Sequence, residues 1–233
     1  EEVFDETVRT VFEHGWLSLK LYYMIGLPGE TMEDVQAILD AGKRVLAIGR
    51  QLRGNRVRVH LSVGNFIPKP HTPFQWYPLN STDELQAKLD LLKAGVRRTG
   101  LKLSYNIPDN TLLEAWLSRG DRRLGQVILR AWQLGAKFDA WGENDNVPIW
   151  RQAFSEIGLD PDFYAYRERA LDEVLPWDHI HTGVTKAFLQ RDLEWSKQGK
   201  TRKDCREQCY ACGILDSFGK VRPVSPLVYW GCP

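Results

Sequence analysis

Leu19-Lys20-Leu21-Tyr22-Tyr23-Met24-Ile25-Gly26-Leu27-Pro28-Gly29-Glu30-Thr31-Met32-Glu33-Asp34-Val35 reads as a strand, a glycine-proline turn and the opening of a helix. Leu17, Leu19, Leu21, Tyr23 and Ile25 alternate with Ser18, Lys20, Tyr22 and Met24, the period of two of a strand. The end of the run is apolar on both faces, which predicts a parallel strand covered by helices on each side. Gly26 and Gly29 permit positive φ and close backbone approach, and Pro28 fixes the turn. Thr31 stands where an N-cap belongs, with Asp34 three residues on. A loop at the carboxyl end of such a strand is where α/β sheets bind ligands, and free N–H groups at a helix start favour a carboxylate or phosphate. The plain alternative is a strand-to-helix turn that binds nothing.

Outward from this stretch the pattern repeats. Before it, Val3, Phe4, Val8, Val11 and Phe12 form one stripe of a helix. After it, Val35, Ile38, Leu39, Val45, Leu46 and Ile48 predict a helix of about 20 residues within Thr31 to Arg53, frayed at Gly49. Val57, Val59, Leu61 and Val63 alternate with Arg56, Arg58, His60 and Ser62 as a second strand. Its carboxyl end runs into Gly64-Asn65-Phe66-Ile67-Pro68-Lys69-Pro70-His71-Thr72-Pro73-Phe74-Gln75-Trp76. The prolines predict a stiff, extended lip. Ser81 and Glu84 form a capping box for a third helix with Leu85, Leu89, Leu92 and Val96 inward. Leu101, Leu103 and Tyr105 follow as a third strand. Three helix-strand pairs in succession predict a parallel sheet, about half of a partial barrel.

Asp109 or Asn110 is expected to cap the next helix, and Arg119-Gly120-Asp121-Arg122-Arg123 to join it to another. That turn reads as an anion contact or as a network tying two helices together. From Gly135 the chain turns to aromatic-rich helices, the last expected over residues 183–198. The predicted organisation is a barrel segment over 1–108, a helical extension over 109–200 and a cysteine-rich tail over 201–233.

Two stretches resemble one family. Tyr-Met-Ile-Gly-Leu-Pro-Gly-Glu-Thr-Met-Glu-Asp-Val, from Tyr23 to Val35, resembles the fifth strand and following turn of radical S-adenosylmethionine (radical SAM) enzymes. It is closest to the branch with an amino-terminal cobalamin-binding domain. Phe-Ile-Pro-Lys-Pro-His-Thr-Pro-Phe-Gln-Trp, from Phe66 to Trp76, resembles the same branch. The resemblance implies the carboxyl-terminal part of a partial (β/α) TIM-like barrel with a mostly helical extension. It implies S-adenosylmethionine beside Gly26, Leu27, Pro28 and Gly29, and near Asn65 and Phe66. Lys69, His71 and Gln75 would then face an unidentified substrate. It also implies a 4Fe-4S cluster whose ligands lie upstream of this chain, in a missing amino-terminal part of the same polypeptide, and cobalamin held by a domain absent here. Asp139, Glu143, Asp178 and His179, within Phe138-Asp139-Ala140-Trp141-Gly142-Glu143 and Leu175-Pro176-Trp177-Asp178-His179-Ile180, are candidate substrate-cavity groups by the same resemblance. The plain readings are that His71 bonds a loop carbonyl, Trp76 packs, and Asp178 and His179 cap the next helix.

All four cysteines, Cys205, Cys209, Cys212 and Cys232, lie in the tail. In a chain otherwise free of cysteine this argues for metal over disulfides. Cys205, Cys209 and Cys212 carry the Cys-x3-Cys-x2-Cys spacing that holds the catalytic cluster in radical SAM enzymes. There, however, the motif follows the first barrel strand, whereas here it follows the last helix. With Cys232 as fourth ligand, the tail reads as a closed zinc site or as an auxiliary iron-sulfur cluster. The rival reading of the whole chain is a non-catalytic cysteine-zinc module that binds RNA or a protein.

The bulk properties fit either. The chain has 233 residues, 43% apolar and 26% charged, with a net charge of +1, so no global field draws it to nucleic acid or membrane. Lys197, Lys200, Arg202, Lys203 and Arg206 make a local basic run that suits RNA or a solvated face. No apolar run spans a bilayer and no signal peptide opens the chain, so a cytoplasmic location without membrane partners is expected. Glu1 enters directly into a helical pattern, so the expectation is a piece of a longer polypeptide.

Overall fold

A computed structural model describes residues 2–139 and 146–220. The order is α1 (Glu2–Glu13), β1 (Ser18–Ile25), α2 (Met32–Arg53), β2 (Arg58–Asn65), α3 (Thr82–Val96), β3 (Leu101–Tyr105), α4 (Pro108–Arg119), α5 (Leu124–Gln133), α6 (Val147–Ile157), α7 (Pro161–Ala165), α8 (Lys186–Lys197) and α9 (Ile214–Phe218). No helix among the described residues is long and apolar enough to cross a membrane.

The three strands pair in parallel in the order β1-β2-β3, with Leu21 opposite Leu61 and Leu61 opposite Leu103. Alternation decides what each face does. Leu19, Leu21, Tyr23, Val59, Leu61, Val63, Leu101 and Leu103 belong to one core with Val8 and Phe12 of α1, Val35, Leu39 and Leu46 of α2, and Leu85, Leu89 and Leu92 of α3. The opposite face carries Lys20, Tyr22, Met24, Arg58, His60, Ser62, Lys102 and Ser104. Tyr22 is 74% and Met24 49% exposed, so helical cover on both faces, as expected from the apolar end of β1, is not found among the described residues.

Both predicted capping boxes form. The Thr31 hydroxyl accepts the Asp34 N–H while the Asp34 carboxylate accepts the Thr31 N–H, and Ser81 and Glu84 do the same at α3. Helix α2 runs to Arg53, as its pattern predicts, and does not fray at Gly49. Gly49 is there for close packing, because a Cβ would stand 2.7 Å from both Phe12 Cζ and Val57 Cγ1. Helix α4 is capped by neither Asp109 nor Asn110: its N-cap position is Ile107, two residues before Asp109, with Pro108 in the first turn, where a missing N–H costs nothing.

A second core, around Trp116, Phe154 and Tyr164, joins α4, α5, α6 and α7, and takes in Ile67 and Leu79 from the loop between β2 and α3. A third gathers Trp76, Leu175, Trp177, Leu189 and Leu193. The β2–α3 loop therefore reaches the second and third cores. It is not a stiff extended lip. Gln75 N–H donates to Thr72 O at 3.1 Å and the Thr72 hydroxyl to Lys69 O at 2.7 Å, folding the proline stretch into turns.

Candidate functional site at the carboxyl rim

Because β1 and β2 are parallel with Ile25 opposite Asn65, the glycine-proline turn and the proline-rich loop leave the sheet at the same rim. Phe66 N–H donates to Ile25 O at 2.8 Å and Asn106 N–H to Val63 O at 3.2 Å, so the loop after β3 starts there too.

Gly26 takes φ +85°, and a Cβ would meet Leu85 Cδ2 at 2.9 Å, so the turn is built for glycine. Its amides are less available than the sequence suggests. Gly26 N–H donates to Glu30 Oε1 at 2.9 Å, and the amides of Thr31 and Asp34 are spent in the capping box. Glu30 in turn pairs with Lys88 at 2.8 Å, and Lys88 donates to Asn80 Oδ1 at 2.9 Å. A carboxylate of the chain's own thus sits where the open amides were expected to attract an external anion. Residues 26–30 line a cleft of about 440 Å³ with Tyr77, Asn80 and Lys88.

Asn65 is buried at the end of β2. Its amide nitrogen donates to Asn106 O at 3.2 Å and to the Thr111 hydroxyl at 2.7 Å, pinning the β3 loop and α4 to the rim. Its Oδ1 is buried with no partner. Buried carbonyl oxygens are seldom left unpaired, so this atom marks a position able to accept a hydrogen bond. Phe66 stacks edge-on against Phe74 with centroids 5.8 Å apart. A cavity of about 610 Å³ is lined by Asn106 together with Tyr105, Asn110, Thr111, Glu114 and Asp139.

The remaining predicted residues divide. Lys69 pairs with Glu114 of α4. Gln75 is 2% exposed and does not face open solvent; its Oε1 accepts from His71 N–H at 3.0 Å and Trp177 Nε1 at 2.6 Å. Trp76 packs in the third core. Asp139 accepts from Asn146 and from Trp150 Nε1, which anchors α6. Glu143 lies outside the described residues.

Asp178 comes next to the proline-rich loop rather than capping α8. The cap is Thr185, whose hydroxyl accepts Phe188 N–H, three residues into a helix expected from Gly183. Asp178 Oδ2 accepts from Leu175 N–H at 2.9 Å and Lys186 Nζ at 2.7 Å. Burial pushes its carboxyl up, but those two donors, Lys186 foremost, hold it below the usual value. His179 is exposed.

The Arg119 turn is a network. Fully buried Arg119 donates to Tyr164 O at 2.8 Å, Tyr77 O at 2.7 Å and Arg167 O at 3.1 Å. Burial, with Arg169 and Arg167 nearby, pulls its guanidinium down to about 10. Arg169 donates to Arg119 O, and Arg167 forms a two-pronged pair with Glu173.

In the tail, Cys205 and Cys209 are exposed and Cys212 half-buried, all as free thiols. Arg202 lies over the rings of Phe188, Trp195 and Tyr210 at 5.0, 4.2 and 4.6 Å, fastening the loop to α8. Thr185 N–H donates to Cys212 O at 2.8 Å. Ala211 N–H points at Cys209 Sγ at 3.5 Å, with Ala211 at φ +52° and Gly213 at φ +107°. Among the described residues no three His, Cys, Asp or Glu side chains are gathered as a metal site, and Cys232 lies outside them.

Sequence reasoning missed Glu30 as the occupant of the turn, and Lys88, Thr111 and Lys186. Glu30, four residues past Gly26, was legible as a local partner; Lys88 and Thr111 depend on contacts across 45 residues or more, and Lys186, at the start of α8, reaches back eight residues to Asp178, a spacing that no helix or strand period marks.

No protein-family profile and no solved structure matches this chain. A stretch of 110 residues is 28% identical to an uncharacterized protein of Methanocaldococcus jannaschii, taking in 47% of this chain and 23% of the relative. The chain thus spans less than a quarter of that relative's length through the match.

Proposed function

We propose that this chain is the carboxyl-terminal half of a radical SAM core, a partial barrel whose remaining strands and 4Fe-4S ligands lie outside these residues. One observation carries most of the support: two stretches chosen by resemblance alone, 26–29 and 65–66, leave one rim of a parallel sheet whose polar face is open. An open polar face is what half of a barrel would turn toward its interior. Gly26 with its positive φ, Asn65 with its free Oδ1, and Phe66 would hold S-adenosylmethionine, Asn65 by accepting a hydrogen bond and Phe66 by apolar contact. With a reduced cluster, that cofactor supplies hydrogen-abstraction chemistry on the substrate. Cobalamin belongs to the proposal only through a further amino-terminal domain.

The test uses the polypeptide that carries the upstream segment together with this chain, reconstituted with iron and sulfide under anaerobic conditions. The expected result is 5′-deoxyadenosine formed from S-adenosylmethionine on reduction, strongly reduced in Asn65→Ala. A brown, cluster-loaded protein that forms none would overturn the proposal.

A second reading rests on the tail. The N–H aimed at Cys209 Sγ and the two positive-φ residues that follow suit a turn that wraps a metal, so the chain would instead be a cysteine-zinc module for RNA or a protein. Stoichiometric zinc with no absorption near 400 nm, and retention of an RNA or protein partner, would favour it.

A further inference from the structure

A second pocket lies away from the rim, where the proline-rich loop meets the loop before α8. It holds about 240 Å³ and is lined by His71, Gln75, Asp178, Thr182, Thr185 and Lys186. We propose that it is a binding site for a small anionic group, phosphoryl or carboxylate, carried by the substrate.

The hydrogen-bond inventory carries the argument. Most of the side-chain acceptors named here, Asp178 Oδ1 excepted, are spent inside the protein. Gln75 Oε1 takes both His71 N–H and Trp177 Nε1–H, and Asp178 Oδ2 takes Leu175 N–H and Lys186 Nζ. The donors are not. His71 Nε2 is buried without a partner. Lys186 directs N–H groups at Glu173 O and Asp178 Oδ2, which leaves one of its three. With a proton on Nε2 the His71 ring is a further donor for such a group.

Backbone strain points the same way. His71 sits at φ +57°, a conformation that costs a residue with a Cβ about 1 kcal/mol. The bond from its own N–H to Gln75, itself fixed by Trp177, holds it there. Strain kept by a buried network at a pocket is a mark of function. The volume of about 240 Å³ is ample for a phosphate or carboxylate and leaves room for the part of a ligand that carries it.

That the anion belongs to a substrate rests on the radical SAM reading; that the pocket binds an anion does not. The test is an imidazole ¹⁵N spectrum of the 233-residue chain titrated with inorganic phosphate and, separately, with acetate. The expected result is a saturable shift of His71 with none at exposed His14. A response to phosphate alone assigns a phosphoryl group, and a response to acetate assigns a carboxylate. Lys186→Gln weakens binding by about tenfold or more, the effect of losing a charged donor. His71→Asn keeps the left-handed backbone that asparagine tolerates and abolishes protection by the bound anion against thermal unfolding. No saturable shift with either anion, or the same affinity in Lys186→Gln, would overturn the proposal. Failure here leaves S-adenosylmethionine binding at the rim intact, and the reverse also holds, so the two readings fail separately.

Discussion

Arg119 shows how single side chains hold this structure. It bonds three backbone carbonyls, from Tyr77, Tyr164 and Arg167, in a fully buried place. Arg119→Met leaves those carbonyls without a donor and should destabilise the fold by about 3 kcal/mol or more, read as a shift in the urea midpoint. The depressed guanidinium has a defined sign. Its folded value lies below the unfolded one, so the penalty for its charge is present at neutral pH and is relieved only above about 10. Glu173 behaves oppositely. Arg167 holds its carboxyl below the usual value, so its contribution is present above the unfolded value and lost as pH falls through the folded one. Thermal unfolding of Glu173→Gln followed downward from about pH 5 should decline less steeply than that of the wild type. Equal slopes would remove Glu173 from the acid response. Little of this was readable in advance. The sequence marks Arg119 as part of a helix-joining turn, but its carbonyl partners lie more than 40 residues away.

At the scale of elements, local chemistry was legible and packing was not. Ser81 and Glu84 announced α3, and the reciprocal bonds form as the spacing requires. Ser81→Ala should lower stability by about 1 kcal/mol, with the loss confined to thermal or denaturant midpoints. Gly49 was misread as a point of fraying, because a glycine in a helix weakens it on propensity alone. Its close neighbours Phe12 and Val57 belong to α1 and to the residue just before β2, which no helical window contains. Gly49→Ala raises helix propensity yet should destabilise by about 1–3 kcal/mol through overpacking. A stabilised variant would contradict the close approach of α1 and α2. The start of α4 was missed by two or three residues for a related reason: proline at the first turn outranks a side-chain cap.

Across the molecule, the period of two in β1 and β2 sufficed to predict a parallel α/β sheet, because strands separated by crossover-length helices run the same way. The open polar face was only half legible. Lys20, Arg58, His60 and Lys102 were in view, but the expectation of cover on both sides came from Tyr22 and Met24, which the structure leaves exposed. Of the candidate site, the shared rim followed from topology, whereas the meeting of His71 with Asp178 and Lys186 required loops a hundred residues apart. The central claim is that the shared rim holds an adenosyl cofactor. Equilibrium dialysis of radiolabelled S-adenosylmethionine against the cluster-reconstituted polypeptide measures that directly. Wild-type protein should bind about one equivalent, and Asn65→Ala should bind at least tenfold more weakly while keeping its cluster. Unchanged affinity in Asn65→Ala and in Gly26→Ala, with both variants folded, would contradict it.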